Sequence, residues 1–402
     1  MATQPPKLPC CRRKFNPSPP PILPNELITD ILSRLTVKYL MQMKCVSKSW
    51  NILISDPIFI NIHLNRSELN PQFSLIYSHN NDHSFVPFPV SLLWENGSIN
   101  IPQDPSYQLN NKNCNEIVGS CNGLVCLAGY SLNEITRCKN IWLRFWNPAT
   151  RAISDKLGYF FYYDKYRFES CEFTFGYDNS TETYKVMALR SGLDRTLSKT
   201  DVKVFSLGDN VWRTIQGFSA IPLQLYFSHE YDGVHLGCTI NWMAFQKVFD
   251  RDDTTEEFVI VSLDLSTETF TRLMPPENYN NDGDHIFPNI CVLMDSLCFS
   301  YDKETEFFIW RMTKFGDEKS WSQFLKFRYH NVGIDFELGH PHIKLTPFHL
   351  SEDGDTLLLA NHAQDSAILY NCRNNIAKKT RIIDKICWFS IRDYVESLVP
   401  TC

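Results

Sequence analysis

Three stretches of the sequence carry residue types that could do chemistry. Gly119-Ser120-Cys121-Asn122-Gly123 has the form G-x-C-x-G, the thiol version of a turn that lifts a nucleophile between a strand and a following helix. The next residues, Leu124-Val125-Cys126-Leu127, form a strand-like run, and Asn-Gly is the strongest two-residue hairpin signal. The stretch therefore reads as a turn between strands. Asp250, Asp252, Asp253, Glu256 and Glu257 form an acidic run that lacks the central glycine and the correctly spaced terminal glutamate of a calcium loop; it reads as a solvated hairpin tip. So does the stretch Asn281, Asp282, Gly283, Asp284, His285. His340 and His342 share a face if extended, but no thiol or carboxylate is spaced to complete a zinc site. No phosphate-cradling glycine loop is present. The expectation is a chain with no catalytic residue, no metal and no cofactor. A thiol enzyme using Cys121 is the rival chemical reading, and it requires a low-pKa, alkylation-sensitive thiol there.

These residues need elements to hold them. The chain has 402 residues, 43% hydrophobic and 21% charged, a globular composition with room for one large domain and a small one. A net charge of −6 argues against a nucleic-acid-binding body. Aromatic residues make up 13%, with 28 Phe, 17 Tyr and 9 Trp, which favours strands. The 14 cysteines are scattered without a C-x-x-C pair, several inside apolar runs (Cys126, Cys238, Cys291, Cys298, Cys387). They read as buried free thiols of a soluble protein of the cytoplasm or nucleus. No run approaches the roughly 18 apolar residues of a membrane span. Residues 1–21, Pro-rich with a small basic cluster at Arg12-Arg13-Lys14, read as a disordered tail.

One segment has clear helical periodicity. Leu23, Leu27, Ile28, Ile31, Leu32 and Leu35 fall on one helical face, with Pro24 at a first helical position and Glu26 and Asp30 towards the positive end of the dipole. The pattern resumes at Val37, Leu40, Met43, Val46, Trp50 and Leu53 and stops before Ser55-Asp56-Pro57, because proline disfavours a helical predecessor. About 35 residues cannot form a stable unit alone, so the apolar face implies packing on the rest of the chain or on a partner. The run LPxELxxxILSRLxVKxLxxxxCVSKSWxxLIxDPxF at 23–59, in a domain bounded at 22–62, resembles the F-box of the large plant F-box family. The resemblance implies binding to a Skp-type adaptor, and through it to cullin and RING subunits of a ubiquitin ligase. Carried over position by position, the adaptor contacts are Leu23, Pro24, Leu27, Ile31, Leu32, Leu35, Val37, Leu40, Cys45, Val46 and Trp50. Thr36 stands where the family usually has proline, and a threonine can cap the second helix. Tyr39, Gln42 and Met43 also depart from the pattern.

Residues 63–115 hold short β-type runs at 73–77 and 85–89, read as a connecting segment or an irregular first blade. Two hairpin units then recur. One, strand–polar turn–strand, occurs at 143–153, 175–189, 204–215 and 261–273, with weaker versions at 307–327 and 368–382. The other occurs at 119–130, 233–245, 289–302 and 349–360. Alternating them gives about six four-stranded blades over 116–395, an all-β propeller-like domain after a small all-α one. The strings GSCNGLVCL, WNPATR, FGYDNSTETYKV and VSLDLSTETF, in this order, resemble the kelch-like F-box-associated domain of the same plant family. The whole then implies a non-catalytic recognition subunit that presents an unknown target protein for ubiquitination. A propeller sensing a small ligand or glycan is the alternative, and it requires a central apolar pocket. Tyr159, Tyr162, Tyr163 and Tyr166, in the aromatic insert at 159–166, are the candidate target contacts; as a plain edge strand, the insert would pack its apolar side inward.

Overall fold

The computed structural model describes residues 23–69, 77–79, 82–84, 108–109, 112–114, 116–133, 138–163, 171–191, 199–225, 232–250, 253–279, 288–303, 305–333, 345–361, 366–380 and 394–401. The chain begins with four helices, α1 (Asn25–Leu32), α2 (Val37–Met43), α3 (Lys48–Ile54) and α4 (Pro57–Leu69). Pro24 caps α1 from outside, with φ −54° and ψ 144°, one position earlier than its fixed φ suggests. The helix ends at Leu32 rather than Leu35, because the N–H groups of Arg34 and Leu35 turn to the carbonyls three residues back. The second periodic run is two helices. Ser47 breaks it, its hydroxyl accepting the Trp50 N–H at 3.2 Å, a side-chain cap that starts α3.

The fourth helix runs past residue 62 and departs from the sequence reading. Ile58, Ile60, Ile62 and Leu64 alternate, which is strand periodicity. Two things override it. Asp56 accepts the Ile58 N–H at 2.8 Å, with Pro57 in the first position, where its missing N–H costs nothing. Helical winding then buries Phe59, His63 and Leu64 together. His63 Nε2 donates to the Leu35 carbonyl at 2.9 Å, and burial pushes the imidazole pKa down. Arg66 reaches the Asp30 carbonyl at 2.9 Å and its carboxylate at 2.5 Å, which ties α4 to α1.

Strands come next in the chain. β1 (Tyr77–His79) and β2 (Asp82–Ser84) form a two-stranded ribbon. Five larger antiparallel sheets come after it among the described residues. The first contains β3 (Glu116–Cys121), β4 (Leu124–Asn133), β5 (Cys138–Asn147), β6 (Ala152–Ile153) and β7 (Leu157–Tyr163). The second is β8 (Cys171–Asp178), β9 (Thr183–Ser191), β10 (Thr200–Ser206) and β11 (Val211–Phe218). The third joins β12 (Ile221–Pro222) and β13 (Val234–Leu236), both paired to β14 (Thr239–Asp250), to β15 (Asp253–Asp264) and β16 (Thr269–Leu273). The fourth is β17 (Asn289–Leu293), β18 (Ser296–Lys303), β19 (Glu306–Met312) and β20 (Trp321–Arg328); the fifth is β21 (Leu345–Leu350), β22 (Thr356–Asn361), β23 (Ser366–Asn371) and β24 (Ile376–Thr380).

The second, fourth and fifth sheets are meanders in sequence order, as are β3–β6 of the first and β13–β16 of the third. The opening strands of these meanders lie beside one another: β3 by β8, β8 by β13, β13 by β17 and β17 by β21. This is the radial arrangement of propeller blades. Apolar cores form between neighbouring sheets. Phe145 of the first packs with Phe175 and Phe205 of the second, and Trp242 of the third joins Val204 of the second. Both recurring hairpins are real, but residues 175–189 form a first hairpin (β8–β9) whereas 261–273 form a last one (β15–β16). They look alike because turn chemistry is local. In each, an aspartate accepts the N–H of the serine two residues on, at 2.9 Å for Asp178 and 2.8 Å for Asp264. The turn then closes on a left-handed residue, Glu182 at φ 51° and Glu268 at φ 55°. Lys185, buried beside Asp178 at 3.1 Å, also reaches Glu268 at 3.2 Å and so joins the second sheet to the third.

Antiparallel order places the turns after the first and third strands of every sheet at one rim. The strand ends that lead from second to third strands lie at the other. Two turns of the first rim, 122–123 and 148–151, meet residues 394–401 and the helices, as Gly123 faces Ser397 and Ala149 packs on the helical core. The helical unit therefore occupies one rim at the first sheet.

Candidate docking interface

The helical unit divides its apolar residues between two faces. Leu32, Val37, Leu40, Ile54 and Phe59 are buried together, joined by Leu398 from the end of the chain. On the outside, Leu23 is 54% exposed, Leu27 51%, Ile31 54% and Val46 62%. Pro24 and Cys45 are exposed as well, and Leu35 and Trp50 are half-buried. The eleven positions expected to touch an adaptor thus fall into an outer group (Leu23, Pro24, Leu27, Ile31, Cys45, Val46), a half-buried pair and an inner group (Leu32, Val37, Leu40). Successive helical residues turn about 100° from one another, so Leu32 is buried in the core while Ile31 beside it lies open. Tyr39, Met41, Ile52 and Ile58 are also exposed. Sequence periodicity passed over them because they lie off the apolar spacing of Val37, Leu40, Met43, Trp50 and Leu53, which here are buried or half-buried.

The expected cap at Thr36 is not made. Thr36 has the extended N-cap conformation but no side-chain bond to the helix. The N–H groups of Val37 and Lys38, which have no acceptor within the helix, donate instead to the carboxylate of Glu396. That residue is about 360 positions away in sequence, which no local reading could supply.

Cys121 closes β3, and Asn122 and Gly123 both take positive φ, 45° and 78°, the hairpin turn that Asn-Gly favours; β4 follows, not a helix. Cys121 is 7% exposed, and its Sγ lies 3.7 Å from His235 Nδ1 on β13. His235 Nε2 faces the Tyr177 carbonyl at 3.3 Å, and burial lowers the pKa of this imidazole. A neutral imidazole beside a buried thiol is a packing contact between β3 and β13. His235 had no sequence signal, being 114 residues from Cys121. Cys126 and Cys291 are buried free thiols with raised pKa values, led by desolvation for the first and by the Cys298 hydrogen bond for the second; Cys387 lies outside the described residues. Among the described residues no three metal-ligating side chains converge. Asp250 and Asp253 pair across a hairpin tip, whereas 281–285, His340 and His342 lie outside the described residues.

The aromatic insert is partly strand β7, which pairs with the first half of β5, Tyr163 opposite Cys138 and Phe160 opposite Ile141. Phe160 packs inward against Phe173 and Trp212. Tyr159 and the 76% exposed Phe161 point the other way. The side chains of Tyr162 and Tyr163, and all of Tyr166, lie outside the described residues. Because β7 starts opposite Leu143 in the middle of β5 and Tyr163 pairs where β5 begins, the strand runs away from the helical rim towards the opposite one.

Residues 78–401 match the model of the F-box-associated β-propeller domain, and residues 21–61 match that of the F-box domain. The chain belongs to the F-box-associated β-propeller family. Among relatives of this F-box propeller chain, F-box/kelch-repeat protein At3g23880 of Arabidopsis thaliana is 26% identical over 365 residues, 88% of each chain. F-box protein CPR1 of the same plant is 27% identical over 327 residues, 75% of this chain and 72% of its own. F-box protein At5g10340, also from Arabidopsis thaliana, is 30% identical over 331 residues, covering 75% and 68%. Among the described residues of this family member, no helix is long and apolar enough to cross a membrane.

Proposed function

We propose that the chain is the substrate-recognition subunit of a Skp–cullin–F-box type ubiquitin ligase, working in the cytoplasm or nucleus. One observation carries the reading: α1 buries Leu32 while keeping Leu27 and Ile31 half-exposed beside Leu23. An open apolar stripe on a helix that is already packed on its other side fits a protein partner. The adaptor face is Leu23, Pro24, Leu27, Ile31, Cys45 and Val46, extended by Tyr39 and Met41. Leu32, Val37 and Leu40 shape that face from beneath.

The target protein binds at the far rim, since the helical unit takes the near one. Tyr159 and Phe161 are its first candidate contacts, as exposed aromatics on an edge strand leading to that rim. The mechanism is positioning. Holding a target beside the charged conjugating enzyme raises the effective concentration of its lysines, and the transfer chemistry belongs to other subunits. Pull-down of the full chain and of a Leu27→Asp, Ile31→Asp variant, read by mass spectrometry, tests this. Wild type recovers adaptor and cullin together and the variant recovers neither. A wild type that recovers no adaptor overturns the reading.

A further inference from the structure

Residues 394–401 touch both units of the chain at once. On the helical side, Leu398 is buried in the core with Leu32, Val37, Leu40, Ile54 and Phe59. Two residues earlier, the Glu396 carboxylate accepts the N–H groups of Val37 and Lys38, which as the first residues of α2 have no acceptor inside the helix. On the propeller side, Tyr394 packs on Val125, Leu127 and Trp146, and its hydroxyl accepts the Ala149 N–H at 3.3 Å.

The firmest link is Asn147, in the WNPATR turn. Its side chain is fully buried, and its Nδ2 donates to the carbonyls of Ser397 at 3.0 Å and Val399 at 2.8 Å. Its Oδ1 accepts the N–H groups of Ala149 and Thr150 at 3.0 and 3.1 Å. Every hydrogen-bonding position of this amide is used, and both donors go to the same short segment. Taking that segment away strands two donors inside the protein, which is costly. Ser397 also packs over Gly123, where an added Cβ would fall within 2.3 Å of the serine Cβ; glycine is therefore required for close approach as well as for its φ.

We propose that residues 394–401 are a clasp that locks the helical unit onto the first sheet of the propeller, so that the fold itself fixes the angle between the helical face and the far rim. Alternate residues divide the work. Glu396 and Leu398 hold the helices, while Ser397 and Val399 offer their carbonyls to Asn147. The Ser397 and Val399 side chains also lie on the propeller side, over Gly123 and against the core between the first two sheets, whereas the Leu398 side chain lies in the helical core. The lock is a statement about this chain alone; its consequence, a restricted choice of target lysines, rests on the ligase reading.

Hydrogen exchange on the full chain tests the lock. The amides of Val37 and Lys38 are protected in the wild type. Glu396→Ala accelerates their exchange about tenfold or more, and Glu396→Gln, which keeps a carbonyl acceptor, restores part of the protection. Leu398→Ala accelerates exchange across α2 and α3 and leaves β8–β11 unchanged. Small-angle scattering of the same variants shows a larger maximum dimension as the units separate. Should Leu398→Ala fail to fold, the half-buried polar Glu396→Ala carries the test. Wild-type exchange and dimensions in both variants would falsify the clasp. Adaptor pull-down of the wild type keeps the two ideas apart: lost adaptor capture with normal protection at Val37 and Lys38 sinks the ligase reading and leaves the clasp standing.

Discussion

The helical unit and the propeller handle the same kind of side chain in opposite ways. In the sheets, the large apolar residues meet partners from the next sheet, as Phe145 meets Phe175 and Phe205. In the helices, Leu23, Leu27, Ile31 and Val46 stay open, although Leu32 and Leu40 beside them are buried. The difference follows from how each part closes. Neighbouring blades share apolar cores, whereas the four helices share one core that leaves their outer apolar residues open. That core is itself completed by Leu398. The sheets find most of their apolar partners among themselves, whereas the helical unit takes one from residues 394–401 and leaves a stripe uncovered.

The sharpest way to break this contrast is to place one charge on each helical face. Leu40→Asp buries a carboxylate among apolar side chains and should destabilise the helical unit by about 4–5 kcal/mol. Leu27→Asp should change stability by less than about 0.5 kcal/mol and still abolish adaptor capture. Calorimetry and pull-down on the same two proteins settle it, and equal stability losses would sink the division into faces.

Within the propeller, Asp178→Ala leaves Lys185 buried with a weakened set of partners and should cost about 3–5 kcal/mol. Burial raises the Asp178 pKa, but hydrogen bonds from Ser180, Thr181 and Lys185 outweigh it and hold the carboxyl below its ordinary value. A depressed folded pKa contributes stability above the unfolded value near ~3.9, which is lost as pH falls towards the folded one. The melting temperature of wild type should therefore drop below about pH 4, and that acid step should shrink in the variant. A smaller effect belongs to Ser47→Ala, which removes the α3 cap at a cost of about 1 kcal/mol, read from the denaturant midpoint. Least disturbing is Tyr159→Ala with Phe161→Ala. Both side chains are exposed, so the melting temperature stays put while target capture is lost; unchanged capture would remove β7 from the far-rim interface.

Much of the architecture was legible because it is written locally. The Asn-Gly pair at 122–123 and the D-x-S-T-E-T turns at 178–183 and 264–269 carry their own hydrogen-bond acceptors and left-handed residues, so a hairpin could be read from each. Position within a blade could not. The 175–189 and 261–273 hairpins share turn chemistry, yet one opens a sheet and the other closes one. α4 was hidden because Ile58, Ile60, Ile62 and Leu64 alternate like a strand, and the local cap at Asp56 is joined by contacts to Leu35 and Asp30 that lie about 30 positions away. In the docking interface, periodicity located the apolar stripe of α1 but could not say which members the protein keeps for its own core.

By itself, the sequence determined the class of each part: a helical segment too small to stand alone, followed by hairpins repeating as blades. Those properties rest on spacing and turn residues, which act over a few positions. Tertiary structure decided what long-range pairing decides. It buried Leu32 and left Ile31 open, gave Cys121 a histidine neighbour from the third sheet, and capped α2 with Glu396 in place of Thr36. Each needs two groups far apart in the chain to meet. The hydrogen bonds and apolar contacts that fix such a meeting have no period for a sequence to display.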